Sequence, residues 1–372
     1  MKAIGKIPIE IAGDFPECRE LRREFDLFPE INPGENGLRF EFGNHSNRYG
    51  TRVQVGNLSV YPTANVMTVP AGLYLQAHVP LTAYGPEGPI TIRETDARPK
   101  GFSETIRKFR DWNYLTDTEV KAKDAFHGII DPAVFLSALR NDTVYVHASA
   151  VATGDGAFLF AGWGGSGKTS IASLLALGTG YKFIADDLTP ISGDGTVYPY
   201  PKKLQVYGYN AAGERRLSRL LYAQMTPLNR LQWHLRLRLK GPTRVRRRVS
   251  PADIYGATAI PTGPVPLGAL WFLERTDSRS ITSRPATASE LARRLTDVIA
   301  KEFNESVMNL YAFRSAGGSA PEPCKILERY RETYYEAFRG IQTDIVSVPL
   351  NTRPSELLRF FAATFGDVIG LK

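Results

Sequence analysis

Polar and apolar positions alternate with a period of two early in the chain. Leu38, Phe40 and Phe42 alternate with Arg39 and Glu41, and Leu73, Leu75, Ala77 and Val79 alternate with Tyr74, Gln76 and His78. Successive side chains of a strand point to opposite faces, so residues 1–100 are predicted to be a β-rich region. Helical spacing starts near Ser103. Asp131 followed by Pro132 reads as the N-cap and first residue of a helix carrying Val134, Phe135, Leu136 and Leu139. Residues 101–141 are read as a helical connection.

From residue 142 the pattern changes to short apolar runs separated by turns, and residues 142–372 are read as one continuous domain. Residues 143–152 and 157–161 are β-prone and are joined by Thr153-Gly154-Asp155-Gly156, a tight-turn signal. A helix is predicted over 168–177, closed by Gly178 and Gly180, and a buried strand over 181–185 ends in Asp186-Asp187. Strand, helix, strand is the alternation of a parallel α/β sheet. Residues 269–273 read as another buried strand. Leu291, Leu295, Val298, Ile299 and Phe303 trace one face of a helix capped near Ser289, and Leu327, Tyr330, Tyr334 and Phe338 trace a core face of a second, ending at Gly340.

At 372 residues the chain exceeds the usual size of one domain, which predicts two domains or one with a large appendage. Cys18 and Cys324 lie far apart and match neither a disulfide framework nor a zinc spacing. No apolar run approaches the roughly 18 residues a membrane span requires, and the first residues, MKAIGKIPIEIAGDF, carry acids where an export signal would be apolar. The expectation is a cytoplasmic protein with no transmembrane segment.

The formal charge of +8 is concentrated in one place. Residues 211–250 hold eleven basic side chains, from Arg215 to Arg248, against one acid, Glu214, a net of +10 that leaves about −2 for the rest (+8 minus +10). An anionic partner would meet the chain between Arg215 and Arg248. Leu217, Leu220, Leu221, Leu228, Leu231 and Leu235 recur there at near-helical spacing, predicting a basic helical insertion at 211–250 whose leucines pack on the main domain while its arginines stay in water.

The densest chemistry lies at Gly162-Trp163-Gly164-Gly165-Ser166-Gly167-Lys168-Thr169, which fits G-x-x-x-x-G-K-S/T. Its glycines let successive backbone N–H groups point at nucleotide phosphates, Lys168 reaches the β- and γ-phosphates, and Thr169 is placed to ligate Mg²⁺. Ser170 follows in the first helical turn. Such a loop needs a second metal anchor at the end of a neighbouring strand, and Asp186 and Asp187 supply acids there. Adjacent strand residues point in different directions, so the two aspartates are expected to divide their labour: one anchors the metal through Thr169, the other faces an incoming hydroxyl. His147 on its own reads more often as a hydrogen-bonded core residue, and its position upstream of the glycine loop brings a site role level with that reading. Lys202 and Lys203 could approach the phosphates or be solvated, and His45, His78, His127 and His234 form no ligand set.

His147 within VYVHASAVA, the glycine loop, and IADD with Asp186 18 residues after Lys168 resemble, in order and spacing, the catalytic domain of HPr kinase/phosphorylase and the related serine-kinase-like proteins. The resemblance covers residues 146–200, with a faint echo at 270–275. It implies an α/β fold, a P-loop kinase core of the phosphoenolpyruvate-carboxykinase/HPr-kinase type with the β-rich N-terminal region attached. It also implies ATP and Mg²⁺ as cofactors and a homo-oligomer. By the same resemblance Asp186 is the catalytic base toward a serine-type hydroxyl on a protein, peptide or small molecule, and Asp187 is a metal ligand with Thr169. Lys168 grips the phosphates and His147 stands near the γ-phosphate. Gly164 departs from the family's serine at the third loop position, and the downstream Glu-Arg-Gly stretch has no counterpart. The basic segment offers another reading, a nucleic-acid-dependent NTPase or polynucleotide kinase, and a catalytically silent nucleotide sensor is a third.

Overall fold

The computed structural model describes residues 1–32, 37–42, 51–56, 58–62, 66–70, 75–80, 89–95, 115–154, 156–178 and 180–371. Leu73 and the helical start near Ser103 lie outside them. The chain divides into two compact units, one of Met1–Asp26, Glu30–Val144 and Ala300–Tyr330, the other of Leu27–Pro29, Tyr145–Ile299 and Arg331–Lys372. The change of unit at 144/145 lies close to the expected boundary, but the domain read as continuous from 142 to 372 is interrupted. Its residues 300–330 belong to the first unit, where Phe303 stacks on Phe135 at 4.5 Å and Tyr330 meets the same ring at 5.1 Å.

The first unit carries an eight-stranded sheet. Its strands are β1 (Lys2–Ile4), β2 (Ile7–Ala12), β3 (Leu38–Phe42), β4 (Val53–Val55), β5 (Leu58–Tyr61), β6 (Val66–Pro70), β7 (Leu75–Pro80) and β8 (Pro89–Thr95), in the order β1-β2-β3-β7-β8-β6-β5-β4. The expected alternation holds in β3, where Leu38 and Phe40 are buried and Arg39 is exposed. Asp131 is not an N-cap. The chain is already helical from Asp117 to Ala125 and passes through a π turn, Phe126–Ile130, before Asp131–Leu136. The wider i→i+5 turn accommodates Pro132, which lacks an N–H, without ending the helical run.

The second unit is built on a mixed nine-stranded sheet. It contains β9 (Val144–Val146), β10 (Ala148–Ala152), β11 (Ala157–Gly162), β12 (Lys182–Ala185), β13 (Thr189–Ile191), β14 (Thr196–Val197), β17 (Val265–Thr276), β18 (Thr282–Pro285) and β19 (Gln342–Pro349). The long strand β17 runs parallel to both β11 and β19. Sequence alternation suggested that β11 and β12 would be neighbours in a parallel sheet. Instead β10 stands between them, antiparallel to each, because the turn Thr153–Gly156 folds β10 back on β11 and leaves its other edge for β12. The helix Lys168–Gly178 and the helix Pro354–Ile369 cover one face, burying Ile171, Leu175, Leu357, Phe361 and Phe365 against Phe160, Trp271 and Val346. Removing these side chains from water supplies the main driving force for this layer.

The basic segment is only partly the attachment its pattern suggests. Helices Arg215–Ala223 and Pro227–Lys240 are followed by a strand, β16 (Arg246–Val249), paired antiparallel with β15 (Leu204–Tyr207). Leu217, Leu221, Met225 and Trp233 form a core with Leu177, Phe183, Leu204 and Val249. Two expectations fail. Arg247 and Arg248 are buried in β16 rather than solvated, and Leu228, Leu231 and Leu235 face solvent rather than the core. The reason is register: Trp233 and Asn229 occupy the inward face of their helix, which turns those leucines outward.

Candidate functional site

The glycine loop joins β11 to the Lys168–Gly178 helix, all within the second unit. Gly162 ends β11 at φ +132°, where a Cβ would stand 2.3 Å from the carbonyl oxygen of Leu273 in β17, so a side chain there would force the two strands apart. Gly165 and Gly167 also take positive φ, and a Cβ on Gly164 or Gly165 would meet nothing within 4 Å. Open space therefore lies beside Gly164 and Gly165, a fit for phosphate groups. Trp163 is exposed, whereas Ser166 is buried and its Oγ has no hydrogen-bond partner among the described residues.

Lys168 is not surface-facing. It is buried, and its Nζ donates to the carbonyl oxygens of Gly162 at 2.7 Å and Trp163 at 2.9 Å, folding over the loop it belongs to. Arg275, at the end of β17, donates to the Gly165 carbonyl at 3.2 Å and to that of Pro349 at 2.6 Å, tying the loop to the sheet. Ser170 does not face the loop's open side alone; its Oγ accepts from Asn210 Nδ2 at 3.3 Å.

The two aspartates follow the end of β12 at Ala185 and diverge. Asp186 is buried, and its Oδ1 accepts from Thr169 Oγ1 at 2.8 Å and from Ser149 Oγ at 2.5 Å. Asp187 is exposed at φ +74°, the one non-glycine residue with positive φ among the described residues. Backbone held in that region is characteristic of functional sites. Its carboxylate lies 3.5 Å from Lys202 Nζ and 3.7 Å from His147 Nδ1. The side chain that meets Thr169 is thus Asp186, and Asp187 is the one left beside Lys202 and His147.

Burial pushes the Asp186 carboxyl above its ordinary value, opposed by the hydrogen bonds from Ser149 and Thr169. Burial, assisted by the Lys168 charge, brings the His147 imidazole down to about 4, so it is neutral at physiological pH. The sign of the linked stability follows. From about 6.5 down to about 4 the unfolded chain binds a proton that the folded chain refuses, so stability is lost as pH falls through that window. Between pH 7 and pH 5 the loss is about 2 kcal/mol. Urea unfolding at the two values should show a drop smaller by that amount in His147→Gln; equal drops in wild type and variant would mean that His147 is not held neutral.

The structure brings Lys168, Thr169, Asp186, Asp187 and His147 together around one loop, and adds Lys202, Ser149 and Arg275. Ser149 lies in β10 two residues after His147, which occupies the bend between β9 and β10, and Arg275 ends the apolar run of β17. Among the described residues no group of three or more His, Cys, Asp or Glu side chains could hold a metal by itself. A divalent ion here would need phosphate oxygens to complete its shell, with Thr169 and Asp186 supplying the hard oxygen donors it prefers.

No protein-family model matches the chain, and a search of the curated proteins finds no match. The fold and site define the class at the level the structure reaches, a two-unit protein of mixed helix and sheet with a glycine loop facing a divided pair of aspartates.

Proposed function

We propose that the chain is a Mg²⁺- and ATP-dependent phosphotransferase of the HPr-kinase-like type, acting on a hydroxyl-bearing acceptor. The observation that carries this reading is the division of the aspartates. The buried Asp186 is bonded to the first hydroxyl of the helix, while Asp187 stands exposed beside a neutral imidazole and a buried lysine. Geometry favours Asp186 as the metal anchor with Thr169, and Asp187 as the base, reversing the order taken from the family resemblance.

Bound to the loop with Mg²⁺, ATP would supply the γ-phosphoryl group and leave as ADP. The loop N–H groups and Lys168 neutralise phosphate charge, and Lys168 must first leave the carbonyls of Gly162 and Trp163. Asp187 accepts the acceptor hydroxyl's proton as its oxygen bonds to phosphorus. Lys202 Nζ, 3.5 Å from the Asp187 carboxylate, orients it. His147, being neutral, adds no positive charge beside Asp187. Incubating the purified protein with γ-labelled ATP and panels of serine-containing peptides, free hydroxyl amino acids and sugars tests the proposal. A protein that neither binds Mg²⁺-ATP nor transfers label to any acceptor would refute it.

A further inference from the structure

The helix Pro227–Lys240 is unusual in having two apolar faces. One, with Trp233 and the half-buried Leu237, packs on the second unit's core. The other consists of Leu228, Leu231, Leu235 and Leu239, which are 49%, 66%, 55% and 73% exposed. At 100° per residue the four fall within an arc of about 80° on the outward side. Single exposed leucines need no explanation, but four in one line do. Exposed cations accompany the stripe: Arg238 lies about 20° from its edge on the helical wheel, Arg230 and Lys240 stand elsewhere on the same helix, Arg219 on the preceding one and Arg244 just beyond. The only acid of residues 211–250 is Glu214.

We infer that this face docks the protein on an anionic lipid surface, independently of the phosphotransfer reading. Charge decides among the possible occupants. A second copy paired about a two-fold axis would set the exposed Arg219, Arg230, Arg238, Lys240 and Arg244 against the same cations of its partner. Nucleic acid would satisfy the arginines and leave the leucines in water. An anionic bilayer answers both features: leucines enter the boundary between headgroups and acyl chains, while the long basic side chains reach lipid phosphates. The leucines sit on the convex side of a helix, suited to a planar surface rather than to a peptide needing a groove.

Co-sedimentation of the full chain with vesicles tests the inference. Binding is expected to equimolar phosphatidylcholine and phosphatidylglycerol, to weaken at high salt, and to be absent on phosphatidylcholine alone. Leu228→Gln/Leu231→Gln/Leu235→Gln/Leu239→Gln should weaken it by at least about tenfold, and Arg219→Gln/Arg238→Gln/Lys240→Gln/Arg244→Gln by on the order of 10². Thermal unfolding checks that each variant folds; if the quadruple leucine variant does not, Leu231→Gln/Leu239→Gln replaces it. Failure to bind the anionic vesicles, or equal binding by wild type and leucine variant, overturns the inference. So does a lipid-free dimer that the leucine variant abolishes, or an oligonucleotide complex that only the arginine variant weakens.

Discussion

Asp187→Asn should bind Mg²⁺-nucleotide nearly as well as the wild type and lose phosphoryl transfer by a factor of roughly 10² to 10⁴. Asparagine is the appropriate replacement because it tolerates φ +74° almost as well as aspartate, so the strand end keeps its geometry while the proton acceptor is removed. Asp186→Asn should show the opposite pattern. Its carboxylate oxygen takes hydrogen bonds from both Thr169 and Ser149, so neutralising it weakens the metal anchor and with it metal-dependent nucleotide binding. Isothermal titration with Mg²⁺-ATP, paired with single-turnover transfer, separates the two outcomes. If Asp186→Asn binds normally and Asp187→Asn does not, the assignment taken from the family resemblance is right and the geometric one is wrong.

Lys168→Ala is expected to lower transfer by roughly 10³-fold or more, since it removes the one loop cation aimed at charge that develops in the transition state. The lysine is buried and bonded to two carbonyls, so the substitution also carries a stability cost of about 1–3 kcal/mol. Lys168→Met keeps the aliphatic stem and isolates the charge. A folded Lys168→Met protein that transfers phosphate at the wild-type rate would remove this loop from the mechanism.

These two expectations rest on residues that local sequence makes visible. A glycine run between an apolar strand and a helix, followed by a strand ending in paired acids, is legible because each feature is set by neighbours a few residues apart. The tight turn Thr153–Gly156 and the helix starting at Lys168 are of this kind. The divergence of Asp186 and Asp187 is expected from strand alternation, but both lie past the end of β12, and the left-handed backbone at Asp187 accompanies it instead.

Which aspartate turns inward is another matter. It depends on where Thr169 and Ser149 stand, and Ser149 reaches Asp186 only because β10 is interposed between β11 and β12. Backbone pairing across the sheet, not spacing along the chain, fixes that. The same holds for the basic segment, where composition announces charge and helical period but cannot say which of two leucine faces finds a core. Trp233 takes the inward side, Leu228 to Leu239 are left outside, and β16 carries Arg247 and Arg248 into the interior through its pairing with β15. Sequence alone thus determined the loop, its lysine and the paired acids that follow it, since those are local. The tertiary structure decided which acid meets Thr169, the return of residues 300–330 to the first unit and the exposed leucine line, since each is a choice among packings that the local pattern permits equally.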